Sequence, residues 1–331
     1  MTLSAAPSWP VVGHRWAVAQ LDQMIQNRRV HHAYLITGPA ATGKKTLARA
    51  FAMALNCTGA RPPCGECRSC RLVMHQSHPD VTVTQADEVG GVLRIDRLRE
   101  LQRVLALRPY EASYRVAILG RFHEANLATQ NAILKTLEEP SPHAVLVLTS
   151  EYPEILLPTI SSRCLVLNLR TLSLEDTYQT LWQRYGEADE AHLSLVARLS
   201  SGRLGWAIRV LEDPSQLDLR NTALDILARV LQTSSRVARF HQVSELAGDK
   251  TLLLTYLDYW LAYWRDVLLL TSASQAPIVN VDREPELLAL THRIDYSAAF
   301  HALQATRRTI AYLNRNANTR LAMEVLTVDY P

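Results

Sequence analysis

The stretch Gly38-Pro39-Ala40-Ala41-Thr42-Gly43-Lys44-Lys45-Thr46 decides how the rest of the chain is read. An apolar run, Ala33 to Thr37, precedes it and has the look of a buried strand. The residues after it, Leu47 to Asn56, have the composition of a helix. Strand, glycine-bearing loop, lysine and helix form the arrangement that cradles phosphate. Backbone N–H groups and a helix N-terminus converge on one point there and attract an anion. Gly38, Gly43 and Lys44 fit this pattern, but the hydroxyl is displaced. Ser or Thr ordinarily follows the lysine and ligates magnesium. Lys45 holds that place and Thr46 comes one residue later, about 100° further round a helix.

Working outward, the other strands are Val81–Thr84, Arg115–Leu119, Ala144–Thr149 and Leu165–Leu169. Continuous apolar runs of this kind suit a parallel sheet buried on both faces. The expected fold class is therefore α/β, with a five-stranded parallel sheet. The strand Arg115–Leu119 should end in acids if the loop is to hydrolyse a nucleotide, because a carboxylate there holds the metal. It ends instead in Gly120-Arg121, and Glu124 lies too far along to be a ready substitute. Thr149 and Ser150 end another strand, where ligands gather in open α/β sheets. They read either as nucleotide sensors or as caps of the next turn.

Four of the five cysteines fall at Cys57, Cys64, Cys67 and Cys70. Paired at such spacing, four thiolates complete a tetrahedral shell for Zn²⁺, with Zn–S near ~2.3 Å. The alternative is a surface excursion of unliganded thiols. A closed four-sulfur site would be structural and would leave His75 and His78 no place. Between Arg94 and Leu107 an apolar helical face leaves Arg94, Arg97, Arg99 and Arg103 outside it. They form either a solvated face or a row of contacts to a nucleic-acid backbone.

The net charge of +3 argues against wholesale coating of nucleic acid. The chain has no apolar run near the ~20 residues that a membrane span needs. Its first ten residues lack the basic start and apolar core of a secretory signal. The expected setting is cytoplasmic. Beyond Ser173-Leu-Glu-Asp176, which reads as a capping box, the pattern is helical. It has a break at Ser200-Ser201-Gly202, a boundary near Asp213-Pro214-Ser215 and a proline-containing loop from Ala276 to Pro285. Trp260 and Trp264 are one helical turn apart and read as packing residues.

Taken in order, the P-loop, the four cysteines, Leu137-Glu138-Glu139-Pro140 and Ser162-Arg163-Cys164 resemble the clamp-loader subunits of bacterial DNA polymerase III, in the AAA+ family. The resemblance covers the first ~210 residues as a shared P-loop fold and continues more weakly to Asn316–Glu324. It implies an AAA+ domain over residues 1–170 with a zinc-binding excursion at 57–70. A helical lid would follow over 171–213 and an all-α collar for oligomerisation over 214–331.

The gamma/tau motors of that family keep the hydroxyl and the acids. Lys45, Gly120 and Arg121 stand in their places here, and Gly205 stands where a lid arginine is expected, with Arg203 nearby. The resemblance is thus to the non-hydrolysing, delta-prime branch. This implies no intrinsic ATPase, with ATP or phosphate still able to bind at Gly38, Gly43, Lys44 and Thr46. It implies a hetero-pentamer with gamma/tau and delta subunits. That assembly would act on the sliding clamp and primer-template DNA within the DNA polymerase III holoenzyme. Arg163, which taken alone reads as pairing with a carboxylate of its own domain, would in this motif context be an arginine finger acting in trans on a neighbour's ATP. Two alternatives stay open: a gamma/tau-like motor that hydrolyses ATP, and a freestanding nucleotide- or nucleic-acid-binding module.

Overall fold

The computed structural model describes residues 9–272 and 274–331. The chain divides into two units, Met1–Leu172 and Ser173–Pro331. The first is a five-stranded parallel sheet in the order β2-β3-β4-β1-β5. Its strands are β1 (Ala33–Thr37), β2 (Val81–Thr84), β3 (Arg115–Leu119), β4 (Ala144–Ser150) and β5 (Leu165–Asn168). Its helices are α1 (Arg15–Gln26), α2 (Lys44–Leu55), α3 (Arg68–Met74), α4 (Ile95–Leu105), α5 (Leu127–Glu138) and the single turn α6 (Pro158–Ser161).

The two-residue period of a strand sorts the apolar side chains onto two faces. Tyr34, Ile36, Val116, Ile118, Val145 and Val147 pack with α1 and α2. Ala33, Leu35, Ala117, Leu119, Leu146 and Leu148 pack with α4 and α5. Each central strand is therefore apolar on both faces over most of its length, as the sequence anticipates. Register sets Thr37 beside both Ser150 and Asn168. Adjacent strands β3, β4 and β1 thus deliver Gly120, Thr149 and the P-loop to the same edge of the sheet.

The second unit is helical: α7 (Leu174–Tyr185), α8 (Glu190–Leu199), α9 (Leu204–Glu212), α10 (Ser215–Gln232), α11 (Arg236–Ser244), α12 (Lys250–Thr271), α13 (Glu284–Thr291), α14 (Tyr296–Asn314) and α15 (Thr319–Asp329). Ser173 caps α7 by accepting the Asp176 N–H, as the capping-box reading requires. Trp260 and Trp264 are fully buried beside Tyr330, with ring centroids 6.2 and 5.1 Å away. The Trp260 indole N–H donates to the Ala223 carbonyl on α10, so this pair packs inside its own unit.

Gly13 and His14 adopt positive φ just ahead of α1. One local reading changes. Pro285 lies not in a loop but in the first turn of α13, where its missing N–H removes no helical bond. Around Pro214, α9 and α10 belong to one unit, and the Trp206 indole on α9 donates to the Tyr259 hydroxyl on α12 at 3.0 Å.

Candidate functional site: the P-loop edge, a four-cysteine cluster and an exposed arginine

Gly38 and Gly43 both have positive φ, 138° and 91°. At Gly38 an added Cβ would lie 2.3 Å from the Leu169 carbonyl oxygen, so only glycine lets the loop pass this close to the end of β5. α2 begins at Lys44, which is buried. Its ammonium donates to the Gly38 and Pro39 carbonyls at 2.9 and 2.6 Å and pairs with Glu151 at 3.6 Å. Burial lowers the Lys44 pKa, and Glu151 works against that shift. The loop is further tied from outside, since the buried His14 ring is 2.9 Å from the Thr42 carbonyl oxygen. Neither His14 nor Glu151 stands out in the sequence; each is an isolated polar residue that only folding carries to the loop.

Thr46 is exposed on α2. Lys45 is also exposed, with its ammonium 3.2 Å from Gln85 Oε1. Burial lowers the Lys45 pKa, and the charges of Arg49 and Arg121 lower it further. Gly38, Gly43 and Lys44 therefore stand together at the loop, while Thr46 faces outward.

At the end of β3, the Arg121 N–H donates to the Thr149 hydroxyl at 3.0 Å. Its guanidinium is held by three acceptors outside the P-loop. Nε donates to Glu124 Oε1 at 2.8 Å, and Nη2 donates to the Ala86 and Glu88 carbonyls at 2.9 and 3.1 Å. Glu124 Oε1 is doubly engaged, because it also accepts the Gly90 N–H at 2.7 Å, while Oε2 is buried without a hydrogen-bond partner. Burial raises the Glu124 pKa, against the pull of Gly90 and Arg121. Next to it, burial drives His123 down to about 3, with Lys44 and Arg121 adding to the shift. Thr149 thus serves the backbone of Arg121. Gly120 and Arg121, which follow β3, carry no carboxylate; the acids near this corner are Glu124, whose Oε1 is paired with Arg121, and Glu151, which pairs with Lys44.

Cys57, Cys64, Cys67 and Cys70 converge, with all four sulfurs within 4.8 Å of one another. Cys57 Sγ accepts the Gly59 and Cys64 N–H groups, Cys64 Sγ accepts that of Cys67, and Cys67 Sγ accepts that of Cys70. Burial opposes ionisation of Cys67, but N–H groups of Cys70 and Thr58 outweigh it and hold its thiol at about 6. Amide donors aimed at sulfur stabilise thiolates, so the donor set suits a soft or borderline cation. The cluster joins the end of α2 to α3: Cys57 follows α2, and Cys70 is buried in α3 beneath Met53.

Arg163 follows α6. Its Nη2 lies 2.9 Å from Glu138 Oε1, and its Nη1 donates to the Thr159 carbonyl at 3.0 Å. It borders an open depression of about 560 Å³ with His31, His32, Cys164 and Leu165. His31 and His32 precede β1, and Leu165 begins β5. The P-loop follows the opposite end of β1. Arg163 and Lys44 therefore occupy opposite edges of one parallel sheet, separated by a strand of five residues, roughly 16 Å at 3.3 Å per residue.

The family profile described as "DNA polymerase III, delta subunit" matches residues 13–173. The DNA polymerase III subunit delta' of Pseudomonas aeruginosa is 38% identical over 151 residues, 45% of this chain and 46% of that protein. The tau subunit of Escherichia coli DNA polymerase III is 32% identical over 253 residues, 74% of this chain and 39% of that one. The chain thus spans less than half the length of these two relatives. Among solved structures, a DNA polymerase III gamma-subunit-related protein of Thermotoga maritima overlays with a TM-score of 0.42 at 17% identity, over 91% of this chain and 99% of that one. No helix among the described residues is long and apolar enough to cross a membrane. The profile match runs from the entry to α1 through the whole parallel sheet, so over its first unit this chain is similar to the delta, delta' and tau subunits of DNA polymerase III.

Proposed function

We propose that this chain is a non-hydrolysing, delta-prime-type stator of the DNA polymerase III clamp loader. The observation that carries the reading is Arg121. It occupies the end of β3 with its guanidinium fixed on Glu124 and two carbonyls. A cation bound with phosphate would find no carboxylate there, and each missing ligand of that kind can cost orders of magnitude in rate. Lys44 and the loop amides can still receive ATP or phosphate without turnover, once Lys44 leaves its own carbonyls.

The second role is Arg163 as an arginine finger. It stands at the sheet edge away from its own P-loop, so a phosphate that it meets belongs to another chain. Its partners would be gamma/tau and delta subunits, assembled through residues 214–331 acting as a collar beyond a lid at 171–213. The complex would load the sliding clamp onto primer-template DNA. Cys57, Cys64, Cys67 and Cys70 would hold Zn²⁺ in a structural role, fixing the turn between α2 and α3.

Reconstitution tests the reading. The isolated chain is expected to show no magnesium-dependent ATPase. Added to gamma/tau and delta subunits it should complete an assembly with DNA-stimulated ATPase. Brisk hydrolysis by the isolated chain would revive the motor reading, which the match to the tau subunit favours.

A further inference from the structure

The residue that removes hydrolysis has hydrogen bonds that reach well beyond the P-loop. Arg121 adopts a left-handed backbone conformation, φ 47°, and aims its side chain at the segment between β2 and α4. Its Nη2 donates to the carbonyls of Ala86 and Glu88. Its partner Glu124 takes the Gly90 N–H on its carboxylate and the Leu93 N–H on its backbone carbonyl, at 2.7 and 3.1 Å. Leu93 also bridges Ala125 and gives its carbonyl to the Thr129 hydroxyl. The corner 121–125 thus holds residues 86, 88, 90 and 93 of one connecting segment. The pair itself is well shielded, with Arg121 20% and Glu124 2% exposed.

That segment leads directly into α4. Leu98, Leu101 and Leu105 bury one side of α4, while Arg94, Arg97, Arg99 and Arg103 are exposed. Local acids pair with only two of these arginines, Arg97 with Asp87 and Arg99 with Asp96, at 3.5 and 3.6 Å. A face of this kind suits a polyanion backbone.

We propose that the Arg121–Glu124 pair is a positioning clip, locking residues 86–93 so that the arginine face of α4 is held ready for the phosphate backbone of primer-template DNA whatever the state of the P-loop. This rests on the stator reading. A motor that keeps an acid at position 121 cannot form the clip, so the substitution that removes hydrolysis also fixes a surface. Preorganisation raises affinity through the fraction of molecules already in the competent pose.

The test uses Arg121→Ala and the milder Glu124→Gln, in the isolated chain and in the reconstituted loader. Amide hydrogen exchange in residues 86–93 should quicken in Arg121→Ala, with a smaller change in Glu124→Gln. In the loader, the primed-DNA concentration giving half-maximal ATPase should rise about fivefold if the competent fraction falls to about a fifth, with the maximal rate unchanged. The dependence of DNA affinity on salt separates a clip from a residue that itself binds phosphate. Its slope should stay as in the wild type for Arg121→Ala. It should fall by about 0.7–0.9 for each phosphate that Arg94→Ala or Arg97→Ala leaves unneutralised.

A slope that falls in Arg121→Ala, unchanged exchange in 86–93, or α4 variants with wild-type DNA dependence would each overturn the clip. Failure of the wild-type chain to join gamma/tau and delta subunits would instead overturn the stator reading. Exchange and direct DNA binding by the isolated chain would then decide the clip on their own.

Discussion

Arg163 Nη2 rests 2.9 Å from Glu138 Oε1, so the guanidinium proposed for a neighbour's phosphate is held by a carboxylate of its own domain. Both side chains are substantially exposed, 35% and 51%, and such a pair contributes no more than about 1 kcal/mol in water. Glu138 can therefore orient Arg163 and release it cheaply. Arg163→Ala should leave the melting temperature of the isolated chain nearly unchanged. In the assembled loader it should slow the ATP site that it serves by about 10³-fold or more. Arg163→Lys should not restore the rate, because an ammonium lacks the planar fork. Wild-type DNA-stimulated ATPase from the Arg163→Ala complex would remove the finger.

Gly38→Ala tests the close approach of the P-loop to β5. The new methyl would be forced to within 2.3 Å of a backbone oxygen at a φ of 138°, and backbone cannot move aside as a flexible side chain can. A loss of about 2–4 kcal/mol in urea unfolding is expected. Gly120→Ala meets only the Gln85 side chain, Oε1 at 2.9 Å and Cβ at 3.2 Å, without a backbone clash or a positive φ, and should cost less.

Acid should destabilise the first unit partly through His123. The folded state holds this histidine at about 3, so it stays neutral where the unfolded chain takes up a proton. Because the folded pKa is depressed, the unfolded state binds more protons below about 6.5. The histidine's contribution to stability is then lost as pH falls from about 6.5 toward 3, by up to about 1.4 kcal/mol per unit. His123→Gln should flatten that part of the stability profile, measured by denaturant unfolding at a series of pH values. An unchanged slope would show that other groups carry it.

In the helical unit Arg220 on α10 and Asp266 on α12 are both buried. Arg220 is 2% exposed, makes two 2.8 Å bonds to the Asp282 carboxylate and gives a 2.6 Å bond to Asn280 Oδ1. Asn280 is in turn gripped by Asp266 on α12 through its N–H and its side-chain amide. The network fastens the segment before α13 onto the bundle. Arg220→Ala leaves Asp282 and Asn280 without their partner and should cost about 3–5 kcal/mol. Arg220→Met, which refills the volume, should cost less, as thermal melts would report.

The cysteine cluster should hold close to one zinc ion per chain when purified without chelator, read by elemental analysis. Stripping the metal should lower the melting temperature, because the ion ties the end of α2 to α3 by coordination in place of an apolar core. Cys70→Ser should do the same, while Cys164→Ser, outside the cluster, should keep the metal. Metal content well below one ion per chain would sink the zinc assignment.

The sequence by itself determined the five strands, their parallel nature and the convergence of four cysteines. Each of these follows from local chemistry: apolar runs too continuous for a one-sided sheet, a glycine loop before a lysine, and thiols at ligand spacing. It also exposed the missing carboxylate, because Gly120 and Arg121 can be read directly at a strand end. Tertiary structure decided what the remaining polar residues do. Glu151 reaches Lys44 only because β4 lies beside β1, and His14 reaches Thr42 across 28 residues of chain. Arg121 could be read only as an absent acid until folding set the 86–90 segment against it, and the carboxylate beside Arg163 became Glu138 only once the fold brought the two together. Strand identity is written in neighbouring residues, whereas the partner of a long charged side chain is chosen by whichever distant backbone the packed sheet brings within 3 Å.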